Sequence, residues 1–112
     1  MLPISITAVI ARNETWQNFS YTEPYECGWA REAIVYLRAL SQPINVDGVQ
    51  AHIEYSPDGI NWVDSGLKFQ LPTQVDEIAW IPITHFGNWL RVSADVPKNS
   101  SICVLVSLHF KG

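Results

Sequence analysis

The stretch VQAHIEYSPDGINWVDSGLKFQL (residues 49–71) decides how the rest of the chain is read. Its first seven residues alternate, with Val49, Ala51, Ile53 and Tyr55 on one side and Gln50, His52 and Glu54 on the other. That is the period of a half-buried β-strand. In Ser56-Pro57-Asp58-Gly59 the proline presets the backbone for the first corner of a type I turn, Asp58 suits the second, and Gly59 supplies the left-handed residue that follows. Trp62 then stands at the start of the returning strand near Tyr55, and Leu67, Phe69 and Leu71 alternate against Lys68 and Gln70. The segment predicts a hairpin. Calcium is the competing reading of its acids, but an EF-type loop needs oxygen ligands at alternating positions and a distal glutamate. Asp58, Asn61 and Asp64 are spaced three apart instead.

The same period recurs downstream. WLRVSADV (89–96) sets Leu90, Val92, Ala94 and Val96 inward and Trp89, Arg91, Ser93 and Asp95 outward, whereas SICVLVSLHF (101–110) is apolar on both sides for most of its length, as in a strand internal to a packed sheet. AIVYLRAL (33–40) is a mixed apolar run, and YECGWAREAIVYL leaves room for one helical turn. Seven prolines and repeated Pro-Asp, Asp-Gly and Lys-Asn signals separate the runs at short intervals. The pattern predicts an all-β protein, an antiparallel β-sandwich or jelly roll, as one domain over residues 1–112. Residues 1–30 are read as an N-terminal arm or extension, or as a first strand.

Composition narrows the functions. Seven Lys and Arg against eleven Asp and Glu give a formal charge of −4, the wrong sign for holding a phosphate backbone, so nucleic acid is not an expected partner. The apolar start MLPISITAVIAR has no basic leader region, and no stretch reaches the ~20 apolar residues of a bilayer span, so no membrane association is expected and the three Asn-X-Ser/Thr sequons are put down to chance. Cys27 and Cys103 form no metal-binding spacing; a bridge between them is undecidable from sequence, and the apolar setting of Cys103 favours two buried free thiols. His52, His85 and His109 are scattered singly, and no glycine-rich phosphate loop, G-x-S-x-G or H-E-x-x-H motif is present. The expectation is no enzyme, no cofactor and no metal.

The aromatics carry the functional signal. Core packing is the expected use of Trp62 and Trp80. Trp89 lies opposite the face that buries Leu90 and Val92, beside Arg91, a pairing typical of interface anchors. Together with Trp16, Tyr21, Tyr25 and Trp29 from the aromatic segment TWQNFSYTEPYECGW, Trp89 and Arg91 form the expected interface.

The motifs YSPDGINWVDSG, FGNWLRVSADV and SSICVLVSLHFKG resemble small β-sandwich modules among the structural gene products of tailed bacteriophages, and discoidin-like carbohydrate-binding domains are similar in this segment. The resemblance covers about residues 49–110. It implies a virion-associated structural role, such as a capsid-stabilising (cement or decoration) protein acting as a homo-oligomer on a larger assembly; the alternative it implies is a module that stacks glycans on Trp and Tyr. No functional residue carries over, because Asp58, Gly59, Trp62, Leu90, Arg91 and Val92 are positions a scaffold itself requires. A small hydrolase ranks last.

Overall fold

The computed structural model describes residues 5–84 and 86–112; His85 and the first four residues lie outside it. Among the described residues nine strands follow one another: β1 (Ser5–Trp16), β2 (Asn18–Tyr21), β3 (Tyr25–Glu26), β4 (Glu32–Ala39), β5 (Gln50–Ser56), β6 (Val63–Gln70), β7 (Ile78–Thr84), β8 (Trp89–Val96) and β9 (Ile102–Lys111). They build two antiparallel sheets, one in the order β1-β9-β4-β7 and the other β2-β8-β5-β6, with β3 attached to β8. With the two-residue β3 set aside, the chain is a long ladder of four strand pairs, β1·β9, β2·β8, β4·β7 and β5·β6. The ladder is rolled so that β9 also meets β4 and β8 also meets β5. This winding is a jelly roll, in which the sheets cover each other's apolar faces.

Alternation places the core. Val35 and Leu37 from β4, Ala51 and Ile53 from β5, Leu90 and Val92 from β8, and Val104, Val106, Leu108 and Phe110 from β9 are fully buried. The face assignments for 49–55 and 89–96 hold. The one-turn helix does not: Tyr25 and Glu26 pair with β8, a turn closes from Ala30 N–H to the Cys27 carbonyl at 3.0 Å, and β4 follows. Among the described residues no helix is long and apolar enough to cross a membrane.

The N-terminal segment is not an arm. Ser5 to Trp16 pair with β9 from Lys111 back to Ile102, and β2 and β3 join the other sheet. Two register shifts, after Val9 and after Ala11, break the alternation of β1, so side parity counted from Ile6 is lost before Trp16 is reached. Trp16 consequently turns inward opposite Ile102 and is the largest fully buried side chain. Cys27 is buried and free; Cys103 is free and half-buried on the outer side of β9, its thiol donating to Asn13 Oδ1 at 3.1 Å, which corrects the expectation that both thiols are buried.

Because Trp16 fills the corner where the chain passes from one sheet to the other, Trp16→Ala is expected to cost about 3–5 kcal/mol, the usual range for truncating a buried aromatic. Urea unfolding followed by circular dichroism checks this. A cost under about 1 kcal/mol would place Trp16 at the surface.

Candidate functional site

The hairpin after β5 uses every polar residue of its motif internally. Ser56 Oγ accepts from the backbone N–H groups of Asp58 and Gly59 at 3.2 and 2.8 Å and donates to Asp58 Oδ1 at 2.9 Å. Asp58 Oδ1 also accepts from the N–H groups of Ile60 and Asn61, both at 2.8 Å, and Oδ2 accepts from Asn61 Nδ2 at 2.8 Å. Both carboxylate oxygens are thus engaged by the turn. These donors hold the Asp58 carboxyl well below the usual range, the Asn61 and Ile60 N–H groups foremost. Gly59 has φ +79, as the turn reading requires, and a Cβ there would stand 3.2 Å from the Trp89 indole. Pro57 enters the loop exposed.

Trp89 is therefore half-buried, packed over the hairpin, and it ties the loop to β8. Two residues further on the same side, Arg91 lies directly across from Glu54. Its Nη2 and Nε donate to Glu54 Oε2 at 2.9 and 3.3 Å, and the two side chains are only 13% and 12% exposed. Tyr21 and Trp62 close over the guanidinium from β2 and the hairpin, with ring centroids 4.4 and 4.5 Å from Cζ. Stacking shields the pair from water and raises the cost of losing either partner. Phe19, 5.9 Å from Tyr21, extends the aromatic surface outward; the two rings are 55% and 53% exposed. On the other flank His52 Nδ1 lies 3.1 Å from Asp64 Oδ2.

The sequence-predicted interface residues separate into three places. Tyr21, Trp89 and Arg91 share the outer face of the β2-β8-β5-β6 sheet. Tyr25 and Trp29 instead pack on Phe110 at one end of the sandwich, at centroid distances of 5.1 and 5.5 Å. Trp16 belongs to the core and offers no surface. The two tryptophans expected in the core are not there: Trp62 is half-buried on Arg91, and Trp80 is 60% exposed on the outer side of β7. The alternation Ala79, Ile81, Ile83 against Ile78, Trp80, Pro82 was the available signal for Trp80, obscured by a proline inside the run.

Burial, with the Glu26 charge adding to it, pushes the Cys27 thiol up to about 12, so it is not a thiolate nucleophile at neutral pH. Among the described residues no three His, Cys, Asp or Glu side chains stand together as a metal site would require.

No protein-family model matches the chain, and no curated protein sequence matches it. Among solved structures it is similar to the crystal structure of SPBc2 prophage-derived protein YomS, with a TM-score of 0.64 and 13% sequence identity over 100% of this chain and 96% of that one. At this identity the likeness is one of fold.

Both carboxylate oxygens of Asp58 are bonded within the turn, so Asp58→Ala is expected to lower stability, and Asp58→Asn by less. Because the folded carboxyl lies below its unfolded value, its contribution is complete above the ordinary carboxylate pKa of ~3.9 and is lost as pH falls toward the folded value. Urea midpoints of wild type and Asp58→Ala should differ by a constant amount near neutrality and converge in acid. Gly59→Val, strained by its φ and by the Trp89 ring, should cost about 2 kcal/mol.

Proposed function

We propose that this chain is a non-catalytic structural or assembly protein of a tailed-phage particle, a capsid-stabilising or other virion accessory component that works through protein–protein contacts. The observation that carries the reading is the set of large aromatic side chains exposed on the outer sheet faces, above all Phe19, Tyr21 and Trp80, on strands whose backbones are fixed by pairing on the sheet. Rigid exposed aromatics offer contact area at little entropic cost. The loop richest in polar groups spends them on its own turn rather than leaving them free for a substrate. The fold likeness to a prophage-derived protein supports the phage setting.

The glycan-binding alternative draws on the same rings, but one face each of Tyr21 and Trp62 is taken by the Arg91 guanidinium, which leaves less of a platform for a sugar. Protein contact uses ring edges as readily as faces.

Quantitative mass spectrometry of phage or tail-like particles purified from the host strain should find the chain in fixed stoichiometry with the other structural proteins. Phe19→Ala combined with Tyr21→Ala should weaken attachment by roughly tenfold or more while leaving the fold intact. Absence from particles, together with saturable signals on a glycan array, would transfer the function to carbohydrate binding.

A further inference from the structure

Two sheets have four edge strands between them, and three of the edges are blunted. β7 contains Pro82, which has no N–H to offer a neighbour. In β6 two successive amides are held by the strand's own side chains, Gly66 N–H donating to Asp64 Oδ1 at 2.8 Å and Leu67 N–H to Ser65 Oγ at 3.1 Å, beside a register shift. β2 is four residues long. The fourth edge, β1, divides at Val9. Beyond it come both register shifts, and the Ile10 carbonyl accepts from Glu23 N–H at 3.1 Å, so the segment after β2 closes over the strand there. From Ser5 to Val9 the register with β9 is unbroken, and among the described residues no strand pairs with the other side. This stretch, Ser-Ile-Thr-Ala-Val, holds no proline, glycine or charge and is rich in β-branched residues, so it lacks the usual devices that keep a free edge from pairing.

The core is also unfinished at this corner. Ile6 and Ala8 lie across from Phe110 and Leu108, which places them on the inner side of the sheet. Phe110 and Leu108 are fully buried, yet Ile6 is 39% exposed and Ala8 only half-buried. An open row of backbone donors and acceptors, with an uncovered apolar side chain on the core side, is satisfied by an extended chain with matching alternation.

We propose that the Ser5–Val9 edge of β1 pairs antiparallel with the same edge of a second copy, joining the two β1-β9-β4-β7 sheets into one continuous sheet about a two-fold axis at Thr7. The segment is its own complement. With Thr7 facing Thr7, each Ile6 meets the Ala8 of the other copy on the core side, and each Ser5 meets Val9 on the outer side, so parity is kept along the ladder. Threonine opposite threonine is a favourable cross-strand pair. The molecule carries −4 overall, but this segment contributes no charge, so the ladder sets no like charges opposite each other. One two-fold contact closes both free edges at once, and the far edges of the joined sheet are the β7 strands with Pro82, so assembly through these sheets stops at two copies. The contact lies away from Phe19 and Tyr21 and does not depend on what they attach to.

Sedimentation equilibrium of the purified chain, with Thr7→Lys, Thr7→Glu and an equimolar mixture of the two, is the test. Thr7 is exposed on the outer side of β1, so both variants should keep the wild-type circular dichroism spectrum. The wild type should reach twice the 12.6 kDa chain mass as concentration rises, with the amides of Ser5–Val9 exchanging more slowly in step. Each variant alone, which sets like charges face to face on the axis, should weaken the dimer by about tenfold or more, and the mixture should restore it as a Lys–Glu pair. Phe19→Ala combined with Tyr21→Ala should leave the dimer intact, so loss of particle attachment by that variant is a separate result. A wild type that stays monomeric with exchange independent of concentration, or a dimer that neither variant weakens, overturns the proposal.

Discussion

Everything in this molecule depends on β9 being paired on both sides. It hydrogen-bonds β1 along one edge and β4 along the other, and its inward row Ile102, Val104, Val106, Leu108 and Phe110 is buried throughout. A strand in that position has no free backbone groups to satisfy elsewhere, so its sequence can be apolar almost without interruption. The pairing with β1 brings the two ends of the described chain together, and the pairing with β4 rolls the ladder closed. Trp16, the largest buried side chain, reaches the core only because its partner Ile102 begins β9.

The closed roll leaves two outer sheet faces, and they differ in kind. On the β2-β8-β5-β6 face the polar groups answer one another: Glu54 pairs with Arg91, two rings cover the guanidinium, and Trp89 anchors the hairpin. These contacts hold the middle of that surface, and exposed rings stand at its margin. The opposite face is mixed: Trp80 and Ile78 stand exposed on β7 and Val9 on β1, with Arg38, Ser107 and His109 between them. One sheet thus presents a preorganised aromatic rim and the other exposed apolar side chains on its edge strands.

Much of this was legible in the residues, and the failures have physical causes. The hairpin could be read because Pro57, Asp58 and Gly59 each answer a specific backbone demand, and β8 because only one of its faces is apolar. Alternation reports which residues share a side, but it does not say which side is the core when both carry aromatics. Core packing is therefore the natural expectation for Trp62 and Trp80. Trp16 is the opposite case: its segment shows no clean period to place it, and the two register shifts in β1 are the reason. The contacts of Asp58 with four donor groups lay beyond reach, because the turn type suggests a residue preference and not a bonding network. The site around Arg91 joins residues 21, 54, 62 and 91, a convergence that only the strand order reveals.

Native-state amide hydrogen exchange, resolved by residue on the free protein, tests the dependence on β9 most directly. The account predicts that the amides of β9, and those of β4 that pair with it, exchange only through global unfolding and form the slowest class, while those of β2 and β7 open locally and exchange faster. If β9 amides exchanged as fast as those of the edge strands, the rolled ladder would not be closed around this strand, and the placement of both outer faces would fall with it.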